Sequence, residues 1–245
     1  MPEQLPAAPS PVQAGRLDPA SLQAVPLFAG LDRAALAEVV HAGRTHRVPK
    51  DTALFTQDTE ARTLHLLLHG RLKVVQAGPD GNQMVVRFVG PDEPAGVLAL
   101  LGPDQVYPAT ALAVVDCVVL SWDRAALRPL QERYPVLVAN AMRALSGRAQ
   151  EVHARLREQA AERVERRLAL ALLRLVRQAG VREEDGGVRI DFPVTRQDLA
   201  EMAGTTLHTA SRILSGWEQA GILGSGGRMR IVVRDGHALV RIAER

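Results

Sequence analysis

The sequence predicts an α+β fold: a small antiparallel barrel or jelly roll, then a long helix, then a helix-turn-helix followed by a wing. Three observations predict it. Residues 44–122 fall into short Val- and Leu-rich runs broken by Gly, Pro and Asp clusters, the pattern of many short strands. Residues 138–156 place apolar side chains every three or four positions, as a helix with a seam does. Residues 195–221 carry helix start and stop signals around a glycine. A length of 245 residues exceeds the usual single domain, so two domains are expected.

In chain order, the proline-rich start "MPEQLPAAPSPVQAG" lies in a tail, residues 1–20, expected to be disordered. It lacks the charged-then-apolar form of an export signal, and no segment approaches eighteen uninterrupted apolar residues. A cytoplasmic protein that does not span a membrane is the expectation. Residues 21–134 then form the first domain. Asp32 N-caps a short helix with Leu36, Val39 and Val40 on its apolar stripe, and Gly43 ends it. "TLHLLLHG", "RLKVVQAG", "QMVVRFVG" and "ATALAVVDCVVLSW" read as strands. "AGPDGNQ" is a hairpin turn, with Pro79 where φ is fixed and Gly81 where φ is positive.

The long helix occupies residues 135–160. Val138, Met142, Leu145, Ala149, Val152 and Leu156 step by four, three, four, three and four, flanked by Arg148, Glu151, Arg155 and Glu158. A sustained 3.5-residue repeat is what a partner helix needs, so the expectation is a homodimer; the alternative is a helix packed on its own domain. Residues 161–245 form the second domain. A helix from about Ala161 to Ala179 carries Val164, Leu168, Leu172, Leu175 and Val176 and stops at Gly180, before the polar loop "REEDGG" and the strand "VRIDFPV".

Charge divides the same way. Residues 1–123 hold 9 Lys and Arg against 13 Asp and Glu, and residues 124–245 hold 21 against 14. An acidic front and a basic back fit a sensing part joined to a part that meets a polyanion. That 28 of the 30 basic residues are arginine reads as coding bias, because it extends to positions with no evident role.

Thr195, with Asp198 three residues on, makes a capping box, and Gly204 ends that first short helix. Thr206 N-caps a second helix running to Ala220, closed by Gly221. Ala210, Ile213, Leu214 and Trp217 share its core face, while His208, Ser211, Arg212 and Ser215 lie opposite. "LGSGGRMRIVV" then gives strand, Gly-rich loop and strand, a wing with Arg228 and Arg230 near a phosphate backbone.

From about residue 20 onward the chain resembles the family of the cAMP receptor protein and Fnr. "VTRQDLAEMAGTTLHTASRILSGWEQAGIL" is similar to that family's DNA-binding signature at nearly every position. The resemblance implies a dimeric transcription regulator with a cyclic-nucleotide-binding-like β-roll, a dimerisation helix and a winged helix-turn-helix. It implies a palindromic operator in double-stranded DNA as partner, and RNA polymerase where the regulator activates. It assigns DNA binding to Thr195, Arg196, Gln197, Thr206, His208, Thr209, Ser211 and Arg212. Relatives usually carry glutamate at the position of His208, whereas Arg212 matches them. A histidine in the first turn of a recognition helix can donate to guanine N7 or O6, or adenine N7, where glutamate only accepts. The alternative is that it touches a phosphate alone.

Relatives that bind cAMP hold the ribose with a Gly-Glu-Leu stretch and the cyclic phosphate with an Arg-Ser pair. Here the matching segments are Gly96-Val97-Leu98 and Tyr107-Pro108-Ala109-Thr110. Valine accepts no hydrogen bond, no arginine meets the phosphate, and Pro108 lacks the backbone N–H that would help. The pocket is therefore read as degenerate, and cAMP is not expected to bind in the usual way. An iron–sulfur cluster needs four cysteines, and Cys117 is the only one. The effector is then another molecule, or none. Some relatives bind haem to detect nitric oxide or carbon monoxide, so haem stays open, with His41, His46, His65, His69 and His153 as candidate ligands. His65 and His69, four apart on one strand, are expected on one face.

Two rival classes fit the sequence less well. Jelly rolls also host cupin-like metalloenzymes, but "HLLLH" brings two histidines without the carboxylate such a site needs. A pure interaction module would not need Arg212 or the caps intact. No catalytic or metal-binding residue is assigned.

Overall fold

The computed structural model describes residues 17–78, 82–161, 163–225 and 230–244. Most of the tail, the turn residues Pro79 and Gly81, and Arg228 in the wing lie outside the described residues, as do the side chains of Arg155, Leu156 and Glu158. The chain divides into two compact units, Met1–Val74 with Phe88–Arg148, and Val75–Arg87 with Ala149–Arg245.

The first unit opens with two turns of 3-10 helix, Pro19–Ala24 and Pro26–Phe28, and then α1 (Arg33–Ala42). Asp32 caps α1, its carboxylate accepting from the Ala35 N–H at 2.8 Å. Gly43 ends α1 as expected, for a different reason than backbone freedom: its φ is −87°. A Cβ there would meet Leu120 Cδ1 at 2.6 Å and Trp122 Nε1 at 2.9 Å. The helix end lies directly against the sheet, and only glycine fits.

Eight strands follow: β1 (Arg44–Val48), β2 (Ala53–Phe55), β3 (Thr63–His69), β4 (Leu72–Ala77), β5 (Gln83–Val89), β6 (Pro94–Ala95), β7 (Thr110–Ala113) and β8 (Cys117–Asp123). They make two four-stranded sheets, ordered β1-β8-β3-β6 and β2-β7-β4-β5. This is the expected antiparallel roll. Along β3 the side chains alternate between two apolar clusters. Leu64 and Leu66 join Leu36, Leu120, Trp122 and the helical segments, while Leu67 joins Val48, Val119 and Cys117. The Trp122 indole N–H donates to the Val39 carbonyl at 2.7 Å, tying β8 to α1.

One expectation fails here. β3 pairs with β8 as His65 with Ser121 and Leu67 with Val119, but the next pair is His69 with Val118. Leu68 is an extra residue, a β-bulge, and it turns His69 to the face opposite His65. His65 is buried and His69 exposed, so the two do not share a face.

α2 (Arg124–Arg133) follows, N-capped by Asp123, and the sequence reading passed over it. Pro129 inside it breaks the pattern that announces a helix. α3 (Val136–Ala161) is the long helix, 26 residues. Its first turns pack on their own domain through Leu137 and Ala141. The buried Asn140 amide donates to the Leu27 and Ala29 carbonyls at 2.8 and 2.9 Å. Of the seam, Leu145 leans on that same cluster, whereas Met142 is 54% exposed and Val152 44%. The helix thus has two apolar stripes, one used at home and one left bare.

The second unit holds α4 (Val164–Ala179), β9 (Gly180–Arg182), β10 (Val188–Ile190), α5 (Arg196–Ala203), α6 (Leu207–Gln219), β11 (Leu223–Ser225), β12 (Ile231–Val233) and α7 (Gly236–Glu244). Its sheet is ordered β11-β12-β10-β9. Leu168, Leu172 and Leu175 of α4 are buried as expected, together with Ile190, Leu199, Leu214 and Leu239. Removing one such leucine to alanine costs about 2–5 kcal/mol. Among the described residues no helix is long and apolar enough to cross a membrane.

Candidate functional site

The start of α5 is a closed capping box. The Thr195 hydroxyl oxygen accepts from the Asp198 N–H at 3.0 Å, and Asp198 Oδ2 accepts from the Thr195 N–H at 2.9 Å and its O–H at 2.7 Å. Gly204 ends α5 with φ 60° and ψ 50°, the left-handed conformation a C-terminal glycine serves. Thr206 caps α6, accepting from the Thr209 N–H at 3.2 Å, and its hydroxyl donates to Thr209 Oγ1 at 3.0 Å. The spacing of two threonines and a glycine therefore builds the turn between the helices.

α6 buries Ala210, Leu214 and Trp217, with Ile213 half-buried, and the Trp217 indole donates to Glu165 of α4 at 3.3 Å. The opposite face divides into two kinds of residue. Arg196 crosses from α5 and donates to the Ser211 carbonyl, Ser215 Oγ and both Glu218 oxygens. Gln197 donates to Glu201 within its own helix at 2.7 Å. His208 and Arg212, by contrast, are exposed and have no partner among the described residues. They sit four apart, one helical turn, and point the same way. Arg230 on the wing side lies 4.0 Å from Asp191.

Sequence reasoning missed two residues here. Leu207, first in α6, is 46% exposed beside His208. Its spacing from Leu214 puts it on the apolar stripe, but the first turn overhangs the packed part of the helix. Arg167 of α4 donates to the Ala203 carbonyl at 2.7 Å and the Gly204 carbonyl at 3.2 Å, closing the end of α5 from another helix. No local pattern announces that contact.

In the first unit, Gly96 and Tyr107 bring the two predicted pocket segments together. Gly96 has φ 71°, and a Cβ there would lie 2.7 Å from the Thr63 carbonyl and 3.1 Å from Tyr107 Cε1. Tyr107 is 4% exposed and stacks on Phe55 with centroids 4.1 Å apart. Its hydroxyl donates to the Thr63 carbonyl at 2.7 Å and accepts from the Thr63 N–H at 3.0 Å. Burial pushes its pKa up, against the opposing pull of the Thr63 bonds. Val97 is buried in the cluster that holds Leu64, Leu100 and Trp122. Leu98 is half-buried and Pro108 exposed; Ala109 is buried, and Thr110 Oγ1 accepts from the Gln57 N–H at 2.9 Å.

The five candidate histidines differ in burial and partners. His65 is stacked against Phe55 at 5.9 Å, and its Nδ1 is bonded to Ser121 Oγ at 2.7 Å. Burial, with His46 adding repulsion, lowers its pKa to about 3, so it is neutral. His46 lies 6.4 Å from it, edge to face, while His41, His69 and His153 are exposed. Cys117 is buried, its thiol donating to the Arg71 and Val115 carbonyls, and burial pushes its pKa up. Among the described residues no group of three or more His, Cys, Asp or Glu could hold a metal ion.

An antiparallel roll followed by a helix-turn-helix with an outward basic face defines a DNA-binding transcription regulator. Residues 45–134 match the cyclic nucleotide-binding domain and residues 166–242 the Crp-like helix-turn-helix domain. The chain is 23% identical over 217 residues to a CRP-like cAMP-activated global transcriptional regulator of Mycobacterium tuberculosis, covering 89% of this chain and 96% of that one. It is 29% identical over 213 residues to the nitrogen fixation regulation protein FixK of Azorhizobium caulinodans, covering 84% and 82%. The fold of FixK2 from Bradyrhizobium japonicum superposes with a TM-score of 0.71 at 22% identity, covering 82% of this chain and 96% of that one. The chain belongs to the Crp/Fnr family of transcription regulators.

Proposed function

We propose that this protein works in the cytoplasm as a homodimer that binds a palindromic operator sequence-specifically, under an effector other than cAMP or an iron–sulfur cluster. One observation carries the DNA reading: on a face where Ser215 and Glu218 are tied to Arg196, the His208 and Arg212 side chains have no partner among the described residues. Arg212 pairs bidentately with a guanine, and His208 donates to a purine one turn before it. Leu207 beside them offers an apolar contact for a thymine methyl. Two α6 helices then read half-sites about one DNA turn, roughly 34 Å, apart. The dimer is supported by the bare stripe of Met142 and Val152 on α3. RNA polymerase is a partner where the bound regulator activates.

The effector reading is supported by Tyr107, whose ring occupies the region between the two pocket segments, and by Val97, which belongs to the core. The cAMP-activated relatives therefore share the architecture without lending their ligand. Binding-site selection from random DNA tests the proposal: one enriched two-fold symmetric site is expected, and the absence of any enriched sequence would sink it.

A further inference from the structure

The first residue of α5, Arg196, is linked to α6 by four bonds across 15 to 22 residues of sequence. Its Nη1 donates to the Ser211 carbonyl at 3.2 Å and Ser215 Oγ at 2.8 Å. Its Nη2 donates to Glu218 Oε1 at 2.9 Å and Oε2 at 2.7 Å. A guanidinium has five N–H donors, four of them on its two terminal nitrogens, and all four terminal donors are spent inside the protein. Glu218 also cancels the charge, so an approaching phosphate meets a neutral pair. Ser211 stands immediately before Arg212, and Ser215 and Glu218 lie on the next turns.

We propose that Arg196 and Glu218 form a positioning pair. They fix the rotation of α6 about its axis, and so the direction in which His208 and Arg212 point, and Arg196 is not itself a phosphate ligand. The fork geometry explains why the residue is arginine: a lysine keeps the charge but has three donors on one atom, where this contact uses four on two separated nitrogens. This inference rests on α6 being the helix that reads DNA.

Operator affinity of the full-length protein, measured across a salt series, separates the two roles. A phosphate ligand predicts that Arg196→Ala lowers the slope of log affinity against log salt by about 0.9 per lost contact. It also predicts that Arg196→Lys restores binding, and that Glu218→Ala binds more tightly because an arginine is freed. A positioning pair predicts unchanged slopes and a loss on the order of tenfold for Arg196→Ala, Arg196→Lys and Glu218→Ala alike. The double variant should then be no worse than either single one. Glu218→Gln, which keeps one acceptor oxygen, should fall between Glu218→Ala and wild type. Tighter binding by Glu218→Ala, or rescue by lysine, overturns the pairing while leaving the DNA reading intact. Wild type that selects no operator removes the DNA reading itself.

Discussion

The Tyr107 ring lies flat on Phe55, its plane 17° from parallel, and its hydroxyl satisfies both backbone polar groups of Thr63. Replacing Tyr107 with phenylalanine keeps the stack and orphans the N–H and C=O of Thr63. The expected cost is about 1–3 kcal/mol, the penalty for unpaired buried polar groups. Urea unfolding of the two proteins measures it, and equal midpoints would show that water reaches Thr63 freely.

Cyclic AMP should leave DNA affinity unchanged and give no calorimetric signal at micromolar nucleotide. Installing the family's groups with Val97→Glu, Tyr107→Arg and Pro108→Ser should not create a site. Val97 is buried in the apolar cluster that also holds Leu64, Leu100 and Trp122, so the new carboxylate would be buried among hydrocarbons. The triple variant is expected to unfold more easily and still ignore the nucleotide. Tight cAMP binding by that variant would show that residue 97 can turn into the roll.

Met142→Glu with Val152→Glu should give monomers in sedimentation and abolish operator binding. Both side chains are exposed in one chain, so their replacement costs the protomer little. Leu145 is the poorer choice, because it also packs on its own domain. A dimer surviving the exchange would place the interface elsewhere.

His208→Glu should change the preferred base at one position of each half-site without lowering affinity for every sequence. Arg212→Ala should lose about 1–3 kcal/mol of discrimination at the neighbouring base pair. Selection of binding sites from random DNA reads both. Uniform weakening by His208→Glu would mean that the histidine touches only backbone.

Acid should destabilise the first unit through His65. Its folded pKa is about 3 against an ordinary 6.5, so between those values the unfolded chain binds a proton that the folded chain refuses. Stability from this residue is complete above pH 6.5 and falls with decreasing pH, by about 1.4 kcal/mol per unit. His65→Gln should flatten the difference in unfolding free energy between about pH 7.5 and pH 5. A wild type that gains stability on acidification would contradict the sign.

What could be read from the sequence follows how local each signal is. The capping box, Gly204 and the Thr206 cap act within a few residues, and each sits where its spacing placed it. The seam of α3 was legible as a repeat, but not that Leu137 and Ala141 form a second stripe used at home. The bulge at Leu68 depends on which β8 residue pairs with His69, a choice made between strands distant in sequence. Arg196 was legible as a helix-turn-helix residue, yet its partner Glu218 lies 22 residues on. Tyr107 was recognisable as a departure from the cAMP-binding pattern. That its ring would lie against Gly96 and Phe55 is a meeting of three separate segments that only packing reveals.

Two consecutive residues of α4 hold two different helices. Arg166 donates to the Ala243 carbonyl at the end of α7, and Arg167 to the Ala203 carbonyl at the end of α5, both at 2.7 Å. Neighbours on a helix point about 100° apart, so the grips reach out on different flanks. Mechanically, α4 is an axle with two spokes. Turning it about its long axis would pull on the ends of α5 and α7, and α6, fastened to α5 through Arg196, would be pulled with them. A torque applied to α4 would thus reach His208 and Arg212 as a change of aim.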